Sequence, residues 1–151
     1  MITSNINEVM RAVNKATSKL DIGAREARDE MMNTLIQFAK EEIKGERYSW
    51  PSSGKTRYYA KAEPGQPPMN RTGNLRRSIR GEKYRQGFAT YSAVVGPTIV
   101  YGRSVEMGGK YAPRTWSGET KSKAFPYMQP AFKKFQRVAY AIMRKHLSLR
   151  G

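Results

Sequence analysis

The apolar residues of this chain pass from a helical to a strand-like period across the stretch RTGNLRRSI, Arg71 to Ile79. Before it they recur at three and four residues, as on a helix face; after it they alternate, as on a strand, until a second helical run closes the chain. That order reads as helix and loop first, then a small sheet, then a closing helix. Within the stretch, Gly73 permits a turn that other residues resist. Leu75 and Ile79 form an apolar pair at helical spacing, flanked by Arg76, Arg77 and Arg80. Taken alone this is a turn leading into one amphipathic helical turn with a solvated arginine face.

The first helical run is carried by Ile6, Val9, Val13, Ala16 and Leu20, with Asn5 and Glu8 spaced as a capping box. The period resumes through Ala24, Ala27, Met31, Leu35, Phe38 and Ile43. Either one helix bends at Gly23 or two helices meet there, and Gly45 is a plausible end. Asp29-Glu30 and Glu41-Glu42 are adjacent carboxylate pairs. With no histidine or third carboxylate converging on them, they are expected on a solvated helix face, not at a metal or acid-base site.

Residues 46–71 lose all periodicity. Pro, Gly and Ser are mixed there with Tyr48, Trp50, Tyr58 and Tyr59, and with Arg47, Lys55, Arg57 and Lys61. A Pro/Gly-rich loop of this length inside a compact domain is usually functional or ordered by a partner. Aromatics interleaved with cations suit a protein interface or base stacking. Ser53-Gly54-Lys55-Thr56 imitates the end of a phosphate-binding loop, but Ser49 stands where that motif needs glycine and no buried strand precedes it, so nucleotide binding is not expected.

After Ile79 a hairpin is expected, with strands Arg80–Tyr84 and Phe88–Val95 about a turn at Arg85-Gln86-Gly87. Tyr91, Ala93 and Val95 would share one face. Gly96-Pro97 should interrupt the run, Thr98–Tyr101 reads as a further short strand, and Gly102–Gly108 as a helical turn or strand end. Another polar, basic loop follows, over 110–124. The last helix is expected to enter at Pro126–Pro130 and run to about Leu147. Its buried face would hold Phe132, Phe135, Val138, Ala139, Ile142 and Leu147, with Lys133, Lys134, Arg137, Arg144 and Lys145 largely opposite. His146, in that basic last turn, reads as a favourable partner of the helix dipole.

The chain thus divides into a helical segment (1–45), an extended loop or arm (46–71), a β-rich core with loops (72–125) and a C-terminal helix (126–151), as one domain of 151 residues. Its hydrophobic fraction of 38% and mean hydropathy of -0.73 are lean, so part of it is expected to be ordered by a partner. There is no cysteine, which fits a reducing compartment. Met1 to Leu20 is too interrupted by polar residues for a signal peptide, and no stretch approaches a membrane span. Assembly in the cytoplasm is expected.

The net charge of +16 is uneven. Residues 1–45 hold seven basic and seven acidic side chains, whereas residues 126–151 hold six basic and none acidic. Such an excess points to polyanions or to acidic protein surfaces. Arg47, Lys55, Arg57, Tyr58, Tyr59, Lys61, Lys133, Lys134 and Arg137 are the candidate contacts.

Four pieces now stand in order: PGQPPMNRTGNLRRSI, AVVGP, VYGRSVEMGG and AFPYMQPAF. This succession resembles the neck family of long-tailed bacteriophages, whose members are called head-to-tail joining, tail-completion or minor tail-component proteins. The likeness covers roughly Pro64 to Phe132, with a compatible helix on each side. The family's Thr-Gly-x-Leu-x-x-Ser-Ile is matched by Thr72, Gly73, Leu75, Ser78 and Ile79. Its Val-Gly strand end is matched by Val95 and Gly96, and its Tyr-x-x-x-Val-Glu-x-Gly by Tyr101, Val105, Glu106 and Gly108. The apolar entry to its last helix corresponds to Phe125, Pro126, Met128, Pro130 and Ala131. Gly102 departs from the family's common alanine, which loosens a helical reading of that segment.

The resemblance implies an α+β fold and a ring of subunits, six by the symmetry of the tail, in the virion neck between capsid and tail. Its neighbours there would be head-completion or connector proteins and tail-terminator or tail-tube proteins, with non-specific contact to the genomic duplex in the channel. It implies no catalysis, cofactor, metal or membrane. Gly73, Gly96, Pro126 and Pro130 would serve backbone geometry, and Glu106 would pair with an arginine such as Arg76 or Arg77. A stand-alone, sequence-nonspecific nucleic-acid-binding protein is the alternative; it accounts for the charge but not for the ordered motifs. An enzyme ranks third, because no thiol and only one histidine are present.

Overall fold

A computed structural model describes residues 2–43, 65, 67–68, 73–108 and 124–148, with side chains from residue 6 onward. The fold is α+β, with helix α1 (Ile2–Glu42), helix α2 (Asn74–Ser78), strands β1 (Ile79–Gly87) and β2 (Thr90–Pro97), helix α3 (Gly102–Met107) and helix α4 (Met128–Leu147). The two strands form one antiparallel hairpin, and α4 and the hairpin both pack on α1.

Helix α1 is one uninterrupted rod of 41 residues, about 60 Å long. It continues through Gly23 without a break. Because α1 already begins at Ile2, Asn5 lies inside the helix and not at the position before its first residue, where a capping box would need it. Gly23 serves another purpose. A Cβ built there would lie 2.4 Å from the backbone carbonyl oxygen of His146, so only glycine lets the end of α4 come this close. Gly45 falls outside the described residues.

At about 100° per residue, Gly23, Glu26, Ala27 and Glu30 lie on one side of α1 and meet α4, whereas Asp21, Arg28, Met32 and Ile36 lie opposite and meet the hairpin. The helix is therefore the middle layer of three. Its C-terminal end carries the core. Ala39, Ile43, Ile79, Tyr127 and Ala131 are buried together, with Leu35, Ile36, Phe38, Leu75, Val95, Val105 and Met128 packed around them.

Strand β1 runs three residues further than the sequence pattern implies. Pairing continues from Ile79↔Pro97 to Gly87↔Thr90 with a shift between Arg85 and Gly87, and the turn falls at Phe88-Ala89 instead of Arg85–Gly87. Ala89 sits at φ 50°, a left-handed conformation unfavourable for alanine. Asp21 holds it there by accepting the Ala89 N–H at 2.9 Å while also accepting the Tyr91 hydroxyl at 3.0 Å. A carboxylate on α1 thus positions the turn, which no local pattern could show.

Gly96 and Pro97 belong to β2 instead of interrupting it, and Thr98–Tyr101 is a turn, not a strand. The reason is supply of partners. Pro97 pairs with Ile79, the first residue of β1; beyond it the chain meets α2, whose Ser78 carbonyl takes the Thr98 N–H at 3.0 Å. Val100, left without a ladder, is 98% exposed. Ile79 is a strand residue and does not extend the helical turn from Leu75, although both enter the core.

Residues 102–107 are helical, with Gly108 capping them. Gly102 does not loosen the segment: it is buried at the first helical position, and a Cβ there would lie 2.5 Å from Pro97 Cγ. On α4, Ala131 and Ile142 are buried, whereas Phe132 is 48% exposed and leans on Phe135 at the flank. Phe132 is one residue, hence about 100°, from the line that faces α1.

Two glycine substitutions separate packing from propensity. Alanine at Gly23 gains about 1 kcal/mol of helix propensity but must displace the rigid His146 carbonyl, an overpacking that costs about 1–3 kcal/mol. Gly23→Ala is therefore expected to lower the urea midpoint. Gly96→Ala, whose Cβ meets nothing within 4 Å, should leave it within about 0.5 kcal/mol of wild type.

Candidate interaction surfaces

The motif residues converge, but inward. Gly73 is the residue before α2, at φ 76°, and its carbonyl accepts the Arg77 N–H at 2.9 Å. Leu75, Ile79, Val105 and Ala131 pack in or against the core, and the Ser78 hydroxyl donates to the Leu75 carbonyl at 2.7 Å. Gly108 ends α3 at φ 68° and donates to the Ser104 carbonyl; Phe125 donates to the Val105 carbonyl at 2.7 Å. Pro130 lies in the first turn of α4, where a missing N–H costs nothing, and Pro126 just precedes that helix. Tyr101, at the entry to α3, is 37% exposed. Gly96 has neither a left-handed φ nor a close neighbour, so the backbone role expected for it is not required. Thr72 lies outside the described residues.

Glu106 departs from its expected arginine pairing. Its Oε2 accepts the backbone N–H groups of Tyr127 at 2.7 Å and Met128 at 2.9 Å, and its Oε1 accepts that of Gln129 at 3.0 Å. Three donors that have no partner inside α4 are thus satisfied by a carboxylate from α3, at the positive end of the helix dipole. Beneath it, the buried Tyr127 hydroxyl donates to the Gly102 carbonyl at 3.3 Å. Burial, with Glu106 and Tyr101 adding to it, pushes the Tyr127 pKa well up, so it stays a donor at any working pH. Tyr127 was hidden in the sequence because a tyrosine between two prolines carries no periodic signal.

The carboxylate pairs on α1 are not a solvated face. Glu42 is buried and paired with Lys134; Asp29 meets Lys83 at 2.9 Å and Arg28 at 2.7 Å. Glu30 takes Lys145 at 2.8 Å and His146 Nε2 at 2.6 Å, while His146 Nδ1 lies 3.4 Å from Glu26. Glu41 is exposed and accepts from Gln37 at 2.9 Å. His146 is thus more than a dipole partner: with Lys145 it fastens the last turn of α4 to α1. Lys134 is consumed the same way and is no free contact residue.

Two exposed surfaces among the described residues bear on association. The first is the leading half of α1. Helix α4 meets α1 at Gly23 and the hairpin meets it at Asp21; ahead of these contacts residues 6–15 are all exposed, an arm of about 15 Å. Along it Ile6, Val9, Met10 and Val13 are each at least half exposed, in a 3-4 spacing that continues to Ala16 and Leu20. The second is the outward side of α4, where Lys133 and Arg137 are exposed. Arg47, Lys55, Arg57, Tyr58, Tyr59 and Lys61 lie outside the described residues.

No family model, curated protein or solved structure matches the chain. No described helix is long and apolar enough to cross a membrane.

Two outcomes follow from these contacts. Glu106→Ala leaves three amides at the head of α4 without their acceptor and should cost about 1–2 kcal/mol in denaturant unfolding; Glu106→Gln, which keeps one acceptor oxygen, should cost less.

The second concerns acid. The Ala89 N–H foremost, then the Tyr91 hydroxyl, holds Asp21 below the ordinary carboxylate range; Lys145 and then His146 do so for Glu30. Burial pushes Asp29 up, but Lys83 and Arg28 outweigh it. These groups bind protons more readily unfolded than folded. The stability they add is complete above their unfolded values and is lost as pH falls through the lower folded ones. The melting temperature should fall steeply below about pH 4, and less steeply in Asp29→Asn, as scanning calorimetry would register.

Proposed function

We propose that the chain is a structural subunit of the neck of a long-tailed bacteriophage, one of a ring of copies that joins the DNA-filled capsid to the tail and performs no catalysis. The observation that carries this reading is the arm. A contiguous apolar stripe on a projecting helix is a surface for association, because exposed patches of this kind are rare on proteins that work alone. Its occupant is a second copy of the chain. At +16 the molecule repels itself over most of its surface. The arm is the exception: Glu8, Arg11, Lys15 and Lys19 fall on the side of the helix away from the stripe, so copies can meet along it without opposing like charges.

The inward motif supports the same reading. Residues that the resemblance marks as shared act here as caps, turns and core, the framework on which variable arms and loops are mounted. A protein that bound nucleic acid as a lone subunit would use the same charge, yet would leave the arm's apolar stripe without a use.

Electron micrographs of particles assembled without this protein should show filled heads and separate tails; joined particles would defeat the proposal. In solution, Ile6→Asp with Val13→Asp should abolish assemblies seen by analytical ultracentrifugation without loss of helical circular dichroism, since both positions lie outside the core.

A further inference from the structure

Helix α4 contains no acidic residue, and its cations divide sharply between two roles. Lys134, Lys145 and His146 are drawn down to Glu42, Glu30 and Glu26 on α1. Lys133, Arg137 and Arg144 are exposed and pair with no carboxylate among the described residues. At about 100° per residue these three fall within roughly 40° of one another, on the side opposite the buried Ala131 and Ile142. They form a straight row of about 16 Å pointing away from the body. Tyr140, 73% exposed, lies in the same row between Arg137 and Arg144.

From this row we infer a contact surface for the phosphate backbone of duplex DNA. The acids of α1 neutralise the flanks of α4 and leave the outer row uncompensated, so its charge is directed outward. The exposed Phe132 and Met143 lie about 80–100° round the helix from Lys133, so a contact along the row itself meets long flexible cations with one tyrosine and not the apolar anchors a protein partner would require. A duplex carries a charge about every 1.7 Å of its axis and presents an almost continuous line of phosphate, so a linear row of cations engages it in any register and without reading sequence. Tyr140 adds a hydroxyl that can donate to phosphate or sugar oxygen. The surface gives the proposed ring a DNA-facing helix. It rests on the neck reading only for the source of the duplex, not for the contact itself.

The test uses the purified full-length protein and a labelled 30-base-pair duplex of arbitrary sequence, with Kd measured between 50 and 200 mM salt. If all three cations neutralise phosphates, Lys133→Gln/Arg137→Gln/Arg144→Gln should flatten the log-log salt slope by about 2.7, a loss of roughly forty-fold in the salt response over that range. The matched variant Arg11→Gln/Lys15→Gln/Lys19→Gln removes the same charge from the arm and should leave the slope within one unit of wild type. An equal fall in both variants would reduce the effect to net charge and overturn the assignment. So would an unchanged slope in the α4 variant, or binding to polyglutamate but not to DNA. Because all three α4 positions are exposed, thermal melts of the variant should match wild type. The neck reading stands or falls separately, on whether particles lacking the protein still join their tails.

Discussion

The architecture depends on one junction, where the last turns of α1 meet the start of β1 and the first turn of α4. Ala39 and Ala131 are small enough for the two helices to touch, and Ile79 and Tyr127 fill the space beside them. Glu106 holds the junction closed by gathering the first amides of α4, so the entry of that helix is set by a residue 21 positions upstream. With so little apolar surface to bury, the chain concentrates its core at one end of a long rod and secures the rest by polar contacts.

Those contacts give the charge its pattern. The first 45 residues are neutral overall, yet their acids are spent on cations of other elements: Asp21 on the hairpin turn, Asp29 on β1, and Glu26, Glu30 and Glu42 on α4. Helix α1 thus supplies carboxylates to cations of the layers on either side of it. Surface ion pairs contribute little singly, but here they sort the cations, holding some inward and leaving others to face solvent. A partner of the assembled protein meets the remainder.

The rod also explains the division between body and arm. Both outer layers meet the helix near Gly23, one at its close approach to His146 and the other at the Asp21 tether, and residues 6–15 beyond are exposed. Nothing in the apolar period of α1 marks that point, because the same stripe runs from Ile6 to Phe38. In the second half it faces the chain's own core; in the first half it faces outward, available to another copy.

The sequence by itself determined the kinds of elements and most of their apolar faces, because a 3.6-residue or 2-residue period is imposed by backbone geometry before any tertiary contact forms. The helices, the hairpin, the left-handed Gly73 and the basic end were all legible in this way. Tertiary structure alone decided what glycine, carboxylate and strand end were for. Gly23 and Gly102 are required by backbone or proline brought close from elsewhere, Ala89 turns because Asp21 reaches it, and β2 stops where β1 has no more residues to pair. Glu106 caps a helix instead of meeting an arginine for the same reason: its partners lie far along the chain, and sequence spacing carries no record of distances closed by folding.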